Sequence, residues 1–189
     1  MKSVIIGGVS RAGKSILSRR VSASLKLHPM PVDAIVVSLI GGFPQLGINW
    51  ENDVASLAKM APFLRVLICK LAFRFGFSYV FEGNHLTADL IYNLGPEFPI
   101  LEGCVPVFLG SKAIDRAAKM RDLREHAKMN PCYTKHMSDE ELSQLVANLA
   151  AESERLENHC KELGFPYFDT SEDFQAGIDA AYDYIISKV

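Results

Sequence analysis

The stretch that most restricts how this chain can fold is its N-terminal one. The apolar run Val4-Ile5-Ile6 passes into Gly8-Val9-Ser10-Arg11-Ala12-Gly13-Lys14-Ser15, after which Ile16, Leu17, Val21 and Leu25 recur at helical spacing. Strand, glycine-bounded loop and helix in that order make a cradle for phosphate. Glycines at both ends let successive backbone N–H groups turn inward, and the helix adds the positive end of its dipole. Gly8, Ser10, Arg11, Ala12 and Gly13 are thus expected to surround the phosphates of a nucleoside triphosphate. Lys14 supplies a point charge to the β- and γ-phosphates, and the Ser15 hydroxyl completes the coordination of magnesium. Mg2+ and ATP are the ligands this spacing implies.

A lone strand needs partners, and the rest of the chain supplies them. Residues 34–38 (Ala-Ile-Val-Val-Ser) read as a second β-rich run, 79–82 as a third, 105–109 as a fourth and 167–169 as a fifth. Between them lie helical patterns: 14 to about 27, ended by His28-Pro29; 52–58; a further helix opened by Pro62 and running to Phe75; and a terminal one over 174–187. The acidic run 139–162 carries Leu142, Leu145, Leu149 and Leu156 at helical spacing, which predicts an amphipathic helix with a solvated face. Strands alternating with helices imply an α/β fold in three layers, a central parallel five-stranded sheet covered on both faces. Residues 1–189 read as one domain, with no repeat or linker long enough to divide them.

Two further places carry chemistry. The strand ending Phe81-Glu82 is followed by Gly83-Asn84-His85, and ligands in open parallel sheets sit beyond the carboxyl ends of the strands. Glu82 therefore either holds the magnesium through water or accepts the proton of an acceptor hydroxyl, the alternative being a cap for the helix near Thr87. His85 either orients the acceptor or is a hydrogen-bonded loop histidine. The second place is basic: residues 111–137 carry seven Lys/Arg against three Asp/Glu, whereas 138–189 carry three against twelve. On a helix, Lys112, Arg116 and Lys119 form one stripe and Arg121, Arg124 and Lys128 another. Such a segment, 112–137, suits a lid that neutralises transferring phosphates, with Arg121 and Arg124 as the preferred catalytic pair. His126, Cys132 and His136 lack the paired spacing of a zinc site, and Trp50 and Phe43 read as loop aromatics that anchor their loop to the core.

Together, the phosphate loop, the strand-end Glu82-Gly83-x-His85 and the Arg-bearing helix downstream resemble the P-loop small-molecule kinases, the adenylate-kinase-like nucleotide and metabolite kinases. The Glu-Gly-x-His string also resembles phosphoribulokinase-like and 2-phosphoglycerate-kinase-like members. The resemblance implies a phosphate-loop strand in the middle of the sheet, a small helical lid around residues 112–135 and an adenine pocket near 168–171. It also implies an Asp directly after the second strand, as base or substrate ligand. That place reads Ser38-Leu39-Ile40-Gly41-Gly42 here, so Glu82 is the leading base, with Asp53 or Glu51 behind it as an acceptor-binding or basic carboxylate.

Other classes fit less well. A net charge of −2 gives no reason to expect nucleic acid or an anionic membrane as partner, and the longest apolar stretch, 61–77, is interrupted by Arg65, Lys70 and Arg74. Four dispersed cysteines read as reduced thiols of a cytoplasmic protein. A regulatory NTPase acting on a protein partner is the rival to a phosphotransferase. It lacks both an Asn-Lys-x-Asp base-reading motif and an apolar strand ending in Asp-Glu.

Overall fold

A computed structural model describes residues 1–50, 54–74, 77–94, 100–129 and 133–189. Five strands, β1 (Ser3–Gly8), β2 (His28–Pro31), β3 (Tyr79–Glu82), β4 (Cys104–Gly110) and β5 (Tyr167–Asp169), form one sheet in the order β2-β3-β1-β4-β5, every pair parallel. The phosphate-loop strand is central, as expected. Because successive strand residues point to opposite faces, β1 feeds two cores. Ile5 joins Phe81 and Phe108 on one face, under α2 (Val32–Gly42) and α3 (Val54–Arg74). Val4 and Ile6 join Val80, Val107 and Leu109 on the other, under α1 (Lys14–Leu25) and α8 (Phe174–Lys188). Short helices α4 (Ala88–Tyr92) and α5 (Ile100–Gly103) follow β3, while α6 (Arg116–Met129) and α7 (Asp139–Leu163) connect β4 to β5.

The second strand is where expectation and structure part. Residues 34–38 are not a strand but the middle of α2, and β2 is His28–Pro31. The β-branched run misleads because tertiary packing overrides propensity: Val32 and Val36, four apart, are fully buried, which is a helical stripe. Conversely, Pro29 and Pro31 look like strand breakers, yet β2 is an edge strand, where missing N–H donors are tolerated. The correction moves the end of the second strand to Pro31, so the residues that follow it are Val32 and Asp33, not Ser38 and Leu39.

Smaller differences have similar causes. Pro62 lies inside α3, one helix where two were expected; Met60, Leu64 and Ile68 form a continuous buried stripe that holds it together despite the lost hydrogen bond. The acidic run does form α7, begun by a capping box between Ser138 and Glu141. Its Leu142 and Val146 pack on Leu123 of α6. Among the described residues no helix is long and apolar enough to cross a membrane.

Candidate active site

The site forms where β1, β2 and β3 end together. Ile6 pairs with Glu82, and Pro31 pairs with Glu82 from the other side. The loop after β1, the carboxylate of Glu82 and the first turn of α2 are therefore brought to one place by parallel register alone. Between them and α6 lies a cavity of about 570 Å³ lined by Ser10, Lys14, Ser15, Asp33, Glu82 and Lys119, among others.

The loop has the backbone a phosphate cradle needs. Gly8 has φ 129°, and a Cβ there would stand 2.0 Å from the Leu109 carbonyl oxygen, so no other residue fits. Arg11 also lies in the left-handed region, at φ 63°. Lys14 is only 5% exposed. Its ammonium donates to the Val9 carbonyl oxygen and to Asn84 Oδ1, both at 2.6 Å. Burial pulls its pKa down to about 8, against the opposing charges of Asp33 and Glu82. Both of these hydrogen-bond partners are neutral oxygens, so a phosphate would add a directly bonded counter-charge.

Ser15 and Glu82 meet beside Lys14. The Ser15 hydroxyl donates to Glu82 Oε1 at 3.2 Å. Burial raises the Glu82 pKa, opposed by Lys14 and reinforced by Asp33. Hydroxyl and carboxylate oxygens together are the hard donor set that magnesium takes.

Asp33 is the residue the sequence reading missed. Its Oδ1 stands 2.9 Å from His85 Nδ1 and accepts the Asn84 N–H at 2.9 Å; the same N–H is 3.2 Å from Oδ2. Gly83 permits this approach, since a Cβ on it would lie 2.6 Å from Asp33 Oδ1. The His85 ring is fully buried, with Trp50 packed edge-on at 5.0 Å and Nε2 without a hydrogen-bond partner among the described residues. An edge-strand reading of His28–Pro31 would have exposed Asp33 in the sequence. Asn84 carried no signal beyond its place next to Glu82-Gly83.

On α6, Lys119 enters the cavity. Half-buried, it donates to the Arg11 carbonyl oxygen at 3.2 Å, and burial lowers its pKa, with Asp122 opposing. Arg121 is exposed and does not line the cavity. Arg124 turns away: it donates to the carbonyl oxygens of Met137 at 2.8 Å and Thr134 at 3.4 Å and pairs with Asp139. Lys112 pairs with Glu157 on α7. Glu51, Asp53 and Cys132 lie outside the described residues. A smaller cavity of about 140 Å³ adjoins the phosphate loop, sharing Lys119, Asp122 and Phe174 and reaching Thr170 and Ser171 at the end of β5.

No family model matches the chain, and no curated protein does. Solved structures do. The shikimate kinase of Bacteroides thetaiotaomicron superposes with a TM-score of 0.59 at 14% identity, over 98% of this chain and 98% of that one. The fold is that of the P-loop small-molecule kinases. A sugar kinase from Janibacter sp. HTCC2649 matches with a TM-score of 0.56 at 16% identity, over 100% and 96% of the two chains. A shikimate kinase from Acinetobacter baumannii, solved with shikimate bound, gives 0.56 at 14% identity over 97% and 90%. These kinases share the chain's layout along nearly their whole length.

Proposed function

We propose that the protein is an ATP-dependent phosphotransferase acting on a hydroxyl of a small molecule. The observation that carries this reading is the convergence of a buried Lys14, the Ser15–Glu82 pair and the His85-held Asp33 on one cavity. The kinase names of the structural neighbours are consistent with it. Magnesium ATP, when bound, supplies the transferable phosphoryl group. Lys14 and Lys119 then face that charge from opposite walls, and Ser15 with Glu82 offers the oxygens for the metal. The adenine is assigned to the small cavity by Thr170, Ser171 and Phe174.

Asp33 takes the role that the sequence left to Glu82. Oδ1 is held by His85 and by the stronger Asn84 contact, leaving Oδ2 to accept the acceptor's hydroxyl proton. Glu82, tied to Ser15, serves the metal. A cavity continuous with the phosphate loop and large enough for a second substrate favours transfer to that substrate over hydrolysis for a protein partner.

The test is transfer of labelled γ-phosphate from ATP across a panel of metabolites, run beside Lys14→Ala. Transfer to at least one acceptor, lost in the variant while circular dichroism stays unchanged, is the expected result. Equal nucleotide affinity and turnover in wild type and variant would sink the assignment.

A further inference from the structure

Resting on the kinase reading, the geometry points to a phosphoryl acceptor that carries a protonated amine as well as its hydroxyl. The acceptor must reach the phosphate loop, and one large cavity does so. A space of about 760 Å³ between the loop, the turn after β3 and α7 shares Ser10 and Asn84 with the phosphate cavity. Its volume is in the range of small-molecule sites.

The walls of this cavity define what fits. Leu145, Leu149 and Leu156 of α7 and the Trp50 ring make it apolar, and Asn84, Thr87 and Asn148 add neutral hydrogen-bonding groups. Glu152 is the only ionisable side chain lining it among the described residues. It forms no ion pair among them. No Lys, Arg or His of the described residues lines it, so a carboxylate or phosphate there would face apolar walls and a like charge. That costs free energy instead of releasing it. An ammonium finds the opposite: a carboxylate at Glu152 and, in Trp50, an aromatic ring of the kind that attracts cations. Arg65 lines a neighbouring cavity between α3 and α4 that meets this one at Thr87 but shares no residue with the phosphate cavity.

Two charge-matched sets test this: 4-(aminomethyl)benzyl alcohol, 1,4-benzenedimethanol and 4-(hydroxymethyl)benzoate; and glucosamine, glucose and glucuronate. Thermal shift with Mg·AMP-PNP present and transfer from ATP are both read. The amines should stabilise the protein and be used at a KM roughly tenfold or more below their neutral analogues, with the carboxylates silent. In Glu152→Gln that preference should vanish through KM, with kcat little changed, and Glu152→Lys should turn it toward the carboxylates. Preference for a carboxylate, equal use of all three, stabilisation by neither amine, or a preference that survives Glu152→Gln each overturns the inference. Failure of Mg·AMP-PNP itself to bind overturns the kinase reading instead.

Discussion

Asp33, in the first turn of α2, and Glu82, at the end of β3, line the same cavity, yet their contacts separate their work. Asp33 is oriented by His85 and Asn84, and Glu82 is bonded to the Ser15 hydroxyl. Asp33→Asn keeps shape but removes the basic oxygen, so kcat should fall about 10²-fold or more at any magnesium concentration. Glu82→Gln should lose activity that excess magnesium restores. Assays of both variants over a magnesium titration decide the assignment; if the rescue follows Asp33 instead, the two roles are exchanged. Lys14 makes a pH-dependent prediction. Its pKa, lowered by burial from 10.5 to about 8, means the native protein has lost a proton that the unfolded chain still holds between those two values. Stability of the nucleotide-free protein therefore rises with pH across that window, as far as Lys14 contributes. A bound triphosphate favours the charged form, so binding near the middle of the window should take up protons. Calorimetry in buffers of different ionisation enthalpy reads this directly, and proton-neutral binding would contradict the environment described for Lys14.

At the scale of elements, α6 divides its cations between two tasks. Lys119 faces the loop, whereas Arg124 ties the end of α6 to the turn at 133–136 and to the start of α7. Lys119→Ala should lower kcat by roughly 10²-fold with a smaller effect on ATP affinity, as expected for a group that stabilises charge in the transition state. Arg124→Ala should instead lower stability by about 1 kcal/mol, or about 2–4 °C in Tm for a chain of this length, and Arg121→Ala should do neither. Steady-state kinetics and thermal unfolding of the three variants separate the outcomes. A large kcat loss in Arg124→Ala with an unchanged Tm would restore the pair favoured by sequence spacing. Helical spacing shows which cations share a face; it does not show which face meets the loop, because that depends on how Leu123 docks against Leu142 and Val146.

At the scale of the whole molecule, the sequence by itself determined the phosphate loop, four of the five strands, the terminal and acidic helices, and the parallel three-layer class. Each of these rests on a local signal, either a glycine-bounded loop or apolar periodicity. It also determined that Glu82 would stand near the phosphate loop, since a carboxylate at the end of a buried strand projects beyond the sheet. Only the tertiary structure decided the rest. His28–Pro31 is a strand because an edge position asks little of a proline's missing N–H, and 34–38 is helical because Val32 and Val36 bury together. Those two facts place Asp33, which pairs with a histidine 52 residues away. The choice of Lys119 over Arg121 and the charge of the cavity beside α7 likewise come from groups far apart in the chain. Such groupings are fixed by sheet register and helix docking, whose free energy is spread over many buried contacts and leaves no signature in any one segment.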